Sequence, residues 1–243
     1  MSLPSLSICI TVMNEVENIP LVAADIPQFT EEQEIIFVDG HSTDGTVEAI
    51  ELAQQQYPEK NIRLLVQPGK GQGDAMRYAL SHATGELLVV FDGDYTLYAK
   101  DIEKVAMLVH DGTYGFANGN RLAEPELTRA MPYLNRVGNR FFAILGSMLA
   151  GARLRDILSG IKVIRRDDFK RIEETWGFLN CYEPWGDLEL LCGAVKYKLK
   201  VGECPISYRA RSHGTTNLPK FSTGWIFLRV FAKAFTMKLF RRL

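Results

Sequence analysis

Two aspartates, Asp92 and Asp94, stand on either side of a single glycine, directly after an apolar run at residues 87–91. Such a run predicts a buried strand, which delivers both carboxylates to its end in a partly dry cleft. Carboxylate oxygens suit Mg²⁺ or Mn²⁺, and a divalent cation relieves the repulsion between the two charges. The pair therefore predicts a metal site that bridges to a diphosphate and neutralises charge on a leaving group. A plain Asp-Gly turn is the alternative.

A second acidic cluster lies at residues 38–46. Asp44 or Ser42 is placed to cap a helix that begins near Thr46. Asp39 has no such capping duty, and an acidic acceptor at a strand end suits the N–H groups of a nucleobase or the hydroxyls of a ribose. We therefore expect Asp39 to hold a nucleotide, although a run of turn and cap residues also fits this segment.

Cationic residues that suit phosphate binding occur in three places. Lys70 lies in a glycine-rich run, residues 68–75, that matches neither the P-loop nor the dinucleotide-binding pattern. The run either brings Lys70 to a phosphate or is a plain flexible connection. Arginines, which bind phosphate in a bidentate way, lie around a long helix candidate and before a late polar loop. They are Arg121, Arg129, Arg136, Arg140, Arg209 and Arg211.

The elements that must position these residues alternate along the first half of the chain. Apolar runs predict buried strands at Leu6–Val12, 34–38, Ile62–Val66 and 87–91, with helices at 18–24, 46–55 and 73–83. This alternation predicts an α/β fold with a doubly wound, mostly parallel central sheet and helices on both faces. Because ligands bind at the carboxyl ends of such strands, residues 11–15, 39–44 and 92–94 should converge on one edge.

The second half is less regular. It predicts strands at 117–121, 161–164 and 201–206 and helices at Tyr133–Ala150 and 187–197. We expect a catalytic domain over residues 1–220, followed by an apolar and basic segment at residues 221–243. That segment suits a peripheral membrane interface, packing on its own domain, or contact with a second subunit in a homo-oligomer.

Composition narrows the class of protein. The net charge is −1, so no global basic field points to nucleic acid. The four cysteines form no C-x-x-C pair and suit buried thiols in a reducing compartment. Residues 1–7 lack the features of a signal peptide, and no apolar stretch reaches transmembrane length. We therefore expect a cytoplasmic protein at the inner face of a membrane.

Taken together and in order, these pieces resemble glycosyltransferase family 2, inverting enzymes of the GT-A fold. They are most similar to the branch of dolichyl-phosphate mannose synthases and bacterial polyprenyl-phosphate glycosyltransferases. The resemblance covers about residues 5–220 and rests on the segments 11–19, 38–46, 69–71, 92–94, 119–121, 156–160 and 204–218.

The resemblance implies a role for each matched position. A UDP- or GDP-sugar would be held by Asn14, Glu15 and Asp39 with Lys70 nearby, and Asp92 and Asp94 would bind the metal and the donor. Arg121 would meet an acceptor phosphate, and Arg211 the donor diphosphate. Three positions depart from the family pattern: Gly40, Thr96 and Asn217 replace an acidic residue, a glutamine and a lysine.

Three functions stay open: transfer to a polyprenyl phosphate, transfer to a saccharide or other hydroxyl in cell-surface glycan synthesis, and non-catalytic binding of a nucleotide sugar. A hydroxyl must lose its proton during attack and needs a positioned carboxylate, for which Asp156, Asp187 and Glu189 are the candidates. A phosphate monoester, with a second pKa of about 6, is already largely ionised and needs orientation by a cation such as Arg121. We expect the lipid phosphate acceptor.

Overall fold

The computed structural model describes residues 2–123, 133–178, 184–214 and 220–239. A seven-stranded sheet runs through the molecule in the order β3-β2-β1-β4-β6-β5-β7. All neighbouring strands are parallel except β6, which is antiparallel to both β4 and β5. The strands are β1 (Leu6–Val12), β2 (Gln33–Asp39), β3 (Ile62–Val66), β4 (Leu87–Asp92), β5 (Phe116–Asn120), β6 (Ile161–Arg165) and β7 (Val201–Pro205). The predicted α/β fold is confirmed.

Helices cover both faces of this sheet because successive strand residues point to opposite sides. In β1, for example, Ile8 and Ile10 join one buried core and Cys9 joins the other. The first core is covered by α1 (Ile19–Asp25), α2 (Thr46–Gln56) and α4 (Asp101–His110). The second is covered by α3 (Gln72–Ser81), α5 (Tyr133–Ala150), α6 (Arg166–Glu173), α7 (Asp187–Lys196) and α8 (Lys220–Leu239). A short 3₁₀ helix, Pro58–Lys60, precedes β3.

Strand register brings the polar loops together. Val12 pairs with Asp39 across β1 and β2, and Thr11 pairs with Asp92 across β1 and β4. The three strands therefore end at the same level, and the loops that follow them lie side by side. This arrangement confirms the expected convergence of residues 11–15, 39–44 and 92–94 on one edge of the sheet.

Helix α8 packs on the domain that precedes it. Phe227 and Phe231 are buried, and both rings contact that of Phe142 in α5, with centroids 5.1 and 6.2 Å away. Trp225 and Leu228 stay exposed. Of the three contacts expected for residues 221–243, packing on the chain's own domain is therefore present. Among the described residues, no helix is both long and apolar enough to span a bilayer.

Candidate active site

A cavity of about 220 Å³ opens at the carboxyl ends of β1 and β4. Acidic residues from two loops, Glu15, Asp92 and Asp94, line it together with one cation, Arg211. The glycine-rich loop after β3 supplies a further part of its wall at Gly71. Of the residues that the sequence predicts for the site, only these three acidic residues and Arg211 line the cavity. The predicted residues outside its lining are Asn14, Asp39, Lys70, Arg121, Asp156, Asp187 and Glu189.

The turn at residues 92–94 depends on two glycines. A Cβ atom on Gly93 would overlap Val12, and one on Gly160 would overlap the carboxylate of Asp92. The Asp92 carboxylate thus rests directly on the backbone of Gly160, whose carbonyl accepts a hydrogen bond from Asp92 N–H at 3.2 Å. The Asp-Gly-Asp sequence and the distant Gly160 therefore form one tightly packed unit.

The charge on Asp92 is poorly compensated. Burial, followed by repulsion from Asp94 and Asp187, raises the pKa of Asp92 to about 7, while Lys162 and Arg121 act in the opposite direction. A divalent cation beside the carboxylates would stabilise their ionised form. The site therefore fits Mg²⁺ or Mn²⁺.

The chain offers this cation few ligands of its own. Within the part of the chain that the structure describes, no three His, Cys, Asp or Glu side chains gather as a metal-binding group. Asp92 and Asp94 would supply the two carboxylates. Mg²⁺ is commonly bound in this way, by one or two carboxylates with substrate phosphates and water completing its shell. The glutamine of the family pattern, another potential oxygen ligand, is replaced here by Thr96, in keeping with this small set of protein ligands.

Arg211 joins the two acidic loops. Its Nη2 group donates to Glu15 Oε1 at 3.0 Å and to Asp94 Oδ2 at 3.1 Å. The other Asp94 oxygen accepts from the backbone and hydroxyl of Thr96. Burial is the main reason that the pKa of Glu15 is raised above its ordinary value. Arg211 thus lies at the cavity wall, and its contact with a donor diphosphate stays a prediction.

Arg121 is held by Asp156 and does not line this cavity, although its positive charge acts on the Asp92 carboxylate. Its Nε and Nη2 donate to the two carboxylate oxygens at 2.7 and 3.0 Å, and Nη2 also donates to the carbonyl of Leu158 at 2.6 Å. Burial opposes the charge of Arg121, but the Asp156 carboxylate holds its pKa above the ordinary value. Asp156 is fully buried and accepts from the Arg121 backbone as well. Asp156 therefore does not fit the expected role of a base.

Glu203, which sequence reasoning missed, fixes the loop that carries Asp156. One of its oxygens accepts the backbone N–H groups of Arg155 and Asp156, each at 2.7 Å, and the other accepts the amide of Asn120 at 3.0 Å. Burial, the largest effect, raises the pKa of Glu203 to about 7. In the sequence, the signal for this role of Glu203 is the presence of an acidic residue inside the predicted strand 201–206.

Asp187 is paired with a buried lysine. Lys162 Nζ lies 2.6 Å from Asp187 Oδ1, and only 2% of the Lys162 side chain is exposed. In the sequence, the signal for this buried ion pair is a lysine inside the otherwise apolar strand 161–164.

The third candidate base, Glu189, accepts from Gly177 N–H and does not line the cavity. Burial raises its pKa. Glu189 does not fit the role of a base either.

Two of the residues expected to bind the nucleotide, Asp39 and Asn14, hold the backbone of neighbouring loops instead. Asp39 accepts the backbone N–H groups of His41 and Ser42 at 2.9 and 3.1 Å, so the expectation that it lacks a structural duty is wrong. Asn14 accepts from Thr43 N–H and thereby ties the β1 loop to the β2 loop. Lys70 is exposed and adjoins Gly71 at the cavity wall. Asp44 accepts from Thr46 N–H at the start of α2, but the residue at the N-cap position is Gly45.

Residues 7–173 match the model of glycosyl transferase family 2, and the chain belongs to that family. Two curated relatives come from Haloferax volcanii. The chain is 32% identical to glycosyltransferase AglJ over 92% of its own length and 70% of that protein. It is 33% identical to a dolichyl-phosphate hexose transferase over 90% of its own length and 89% of that protein.

Two solved structures are similar in fold. A mannosyltransferase from Pyrobaculum calidifontis, in complex with GDP-Man and Mn²⁺, has a TM-score of 0.59 and 15% identity over 98% of this chain and 76% of that one. A glucosyl-3-phosphoglycerate synthase from Mycobacterium tuberculosis, in complex with Mn²⁺, UDP and glucosyl-3-phosphoglycerate, has a TM-score of 0.59 and 16% identity over 96% and 79%. These likenesses confirm the GT-A fold.

Proposed function

We propose that this glycosyltransferase transfers a sugar, with inversion, from a nucleoside diphosphate sugar to a polyprenyl phosphate, with Mg²⁺ or Mn²⁺ as cofactor. One observation carries the choice of acceptor. Each of the three carboxylates expected as bases already has a partner: Asp156 has Arg121, Asp187 has Lys162, and Glu189 has the backbone. This favours an acceptor that arrives ionised and needs no base.

The donor side of the proposal rests on the cavity. Asp92 and Asp94 would hold the metal, which supplies charge neutralisation on the leaving diphosphate when bound. Arg211 would exchange its contact with Asp94 for the diphosphate, since arginine binds phosphate oxygens in the same way as carboxylate oxygens. Glu15 holds Arg211 at the cavity wall and would keep it oriented toward the donor. The two neighbours that contain Mn²⁺ with GDP-Man or UDP support a nucleotide donor of either kind.

The acceptor side rests on Arg121. Its bonds to Asp156 and Leu158 are made through Nε and Nη2, and Asp156 fixes the plane of the guanidinium. A fixed arginine beside the metal site suits the orientation of an acceptor phosphate. One relative, which this chain matches over 89% of that protein's length, is named a dolichyl-phosphate hexose transferase. Its name supports a lipid phosphate as the acceptor. The free thiols of Cys9 and Cys204 suit a reducing compartment, in keeping with action at the cytoplasmic face of a membrane.

A second candidate is transfer to a hydroxyl. Asp187 is 17% exposed at the start of α7, and its Oδ1 lies 2.6 Å from the ammonium of Lys162. A partly exposed carboxylate at this position could take a proton from a hydroxyl acceptor.

The deciding experiment offers one radiolabelled nucleotide sugar with Mn²⁺ to three acceptors: a polyprenyl phosphate, the matching polyprenol, and a soluble saccharide. UDP- and GDP-sugars are tested in turn. The proposal expects label in chloroform-extractable lipid with the polyprenyl phosphate alone. The polyprenol is the matched control because it differs only by the phosphate. Label in the polyprenol or the saccharide would instead favour the hydroxyl acceptor.

A further inference from the structure

Helix α5 carries a row of large apolar side chains that point away from the protein. They recur at alternating intervals of three and four residues, which places them on one face of the helix. Within the described part of the chain nothing covers this face, since about half to two thirds of each side chain is exposed. The row comprises Leu134 (67% exposed), Val137 (48%), Phe141 (48%), Ile144 (60%) and Met148 (62%).

The opposite face of α5 is also apolar. Phe142, Ala143, Gly146 and Leu149 are buried against the core of the domain. A helix that is apolar on both sides is normally covered on both sides. We therefore expect a binding partner to cover the outward row of α5, and the charges on α5 and α8 indicate what kind of partner it is.

The charges on α5 and on the neighbouring helix α8 have one sign. Neither α5 nor its neighbour α8 contains a single Asp or Glu. The two helices carry instead a set of cations whose long stems can lie along an apolar surface while the charge reaches outward. Trp225 and Leu228 of α8 add further exposed apolar surface. The cations with described side chains are Arg136, Arg140, Arg229 and Lys233, together with Lys238, whose ammonium donates to the carbonyls of Met148 and Leu149 at the end of α5.

We propose that the outward face of α5, together with the exposed side of α8, docks on an anionic lipid bilayer. The 18 residues of α5 would lie along the surface for about 27 Å. Apolar side chains would enter the acyl boundary while cations meet the head groups. A symmetric dimer through the same face would set one cationic surface against its copy, which like charges oppose. The bilayer is the occupant with complementary charge.

This surface is linked to the candidate active site by direct packing. Gly146 of α5 lies against Ile157, which is next to the Arg121 partner Asp156. On the proposed function, docking through α5 would bring the head-group region, where a lipid phosphate resides, near Arg121. The contact would thus be made by α5 and one side of α8, because the main apolar side of α8 is buried.

Vesicle flotation tests the surface directly. The full chain is mixed with vesicles of phosphatidylcholine alone or with phosphatidylglycerol added. We expect it to float with the anionic vesicles and much less with the neutral ones. Ile144→Glu should weaken binding about tenfold or more, because an apolar contact is lost and a like charge meets the lipid. Leu52→Glu is the matched control, since Leu52 is 63% exposed on α2 at the opposite face of the sheet. It should bind as wild type.

Three outcomes would overturn the proposal. One is equal flotation of Ile144→Glu and wild type. Another is a wild-type dimer that fails to float and that Ile144→Glu converts to a monomer, which would assign the face to a second copy. The third is a wild type that does not float, with Ile144→Glu lowering its melting temperature, which would mean that the chain covers α5 itself. Transfer to a short-chain, water-soluble prenyl phosphate tests the proposed function separately, because Ile144→Glu should leave it unchanged.

Discussion

The guanidinium of Arg121 meets the carboxylate of Asp156 through two hydrogen bonds, 2.7 and 3.0 Å long, in a pair that is almost wholly buried. Removing the negative partner leaves a buried positive charge without compensation, which costs about 3–5 kcal/mol. We therefore expect Asp156→Asn to lower the free energy of unfolding substantially in chemical denaturation. Asp168→Asn breaks the more exposed pair with Arg171 and should cost about 1 kcal/mol or less. Equal effects of the two substitutions would contradict this account of the pair.

Glu203 gives the protein a specific dependence on pH. Its pKa is raised to about 7 from 4.5, so between these values the native state holds a proton that the unfolded chain has released. Stability contributed in this way is complete below about pH 4.5 and is lost as the pH rises through 7. In denaturation at pH 5 and pH 8, wild type should lose more stability than Glu203→Gln across this interval. Substitution of the exposed Glu31 by Gln is the control and should leave the wild-type difference unchanged; parallel curves for wild type and Glu203→Gln would refute the assignment.

Gly160 should be essential for donor binding because of the carboxylate that rests on it. A methyl group at this position would overlap Asp92 and push it out of place. We expect Gly160→Ala to weaken Mn²⁺-dependent nucleotide binding at least about tenfold, as measured by calorimetry, while the protein stays folded. Gly138→Ala is the matched control, since a Cβ there meets nothing within 4 Å. Wild-type binding by Gly160→Ala would remove Asp92 from the donor site.

The sequence predicts the parallel part of the sheet closely because each buried strand is an apolar run. The run at 34–38 is one residue shorter than β2 at each end, and the run at 87–91 is one residue shorter than β4 at its C-terminal end. Helix α4 was missed although Ile102, Val105 and Val109 carry the helical period, and α6 is short and mostly charged. The antiparallel direction of β6 has no local signal, because it depends on where the chain returns after residues 121–160.

The residues of the candidate site likewise fall into two groups, those whose position the sequence predicts and those whose position it does not. Convergence of Glu15, Asp92 and Asp94 follows from the rule that loops at the carboxyl ends of parallel strands meet. The pairs of Lys162 with Asp187 and of Glu203 with the Asp156 loop depend on the strand order β4-β6-β5-β7. Lys162 and Glu203 are visible in the sequence as charges inside predicted strands. Sequence patterns do not encode the strand order, however, so the partners of these two residues could be found only from the structure.

The two acceptor classes predict opposite rankings of two variants. For a lipid phosphate, Arg121→Ala should reduce kcat/KM by about a hundredfold or more, since it removes the orienting cation, while Asp187→Asn retains most of the activity. For a hydroxyl acceptor, Asp187→Asn should be the more damaging of the two. Glu189→Gln is the control for both, because Glu189 does not line the cavity. Donor binding and melting temperature are measured for each variant, so that a loss of folding is recognised.

The central claim is metal-dependent transfer to a lipid phosphate at Asp92 and Asp94, and Asp94→Asn tests it most directly. The measurement is transfer of radiolabel from a nucleotide sugar into chloroform-extractable polyprenyl phosphate, with Mn²⁺ present or removed by excess chelator. The account predicts transfer by wild type with Mn²⁺, and none by wild type in chelator or by folded Asp94→Asn at any Mn²⁺ concentration. Full turnover by Asp94→Asn, or by wild type in chelator, would contradict it.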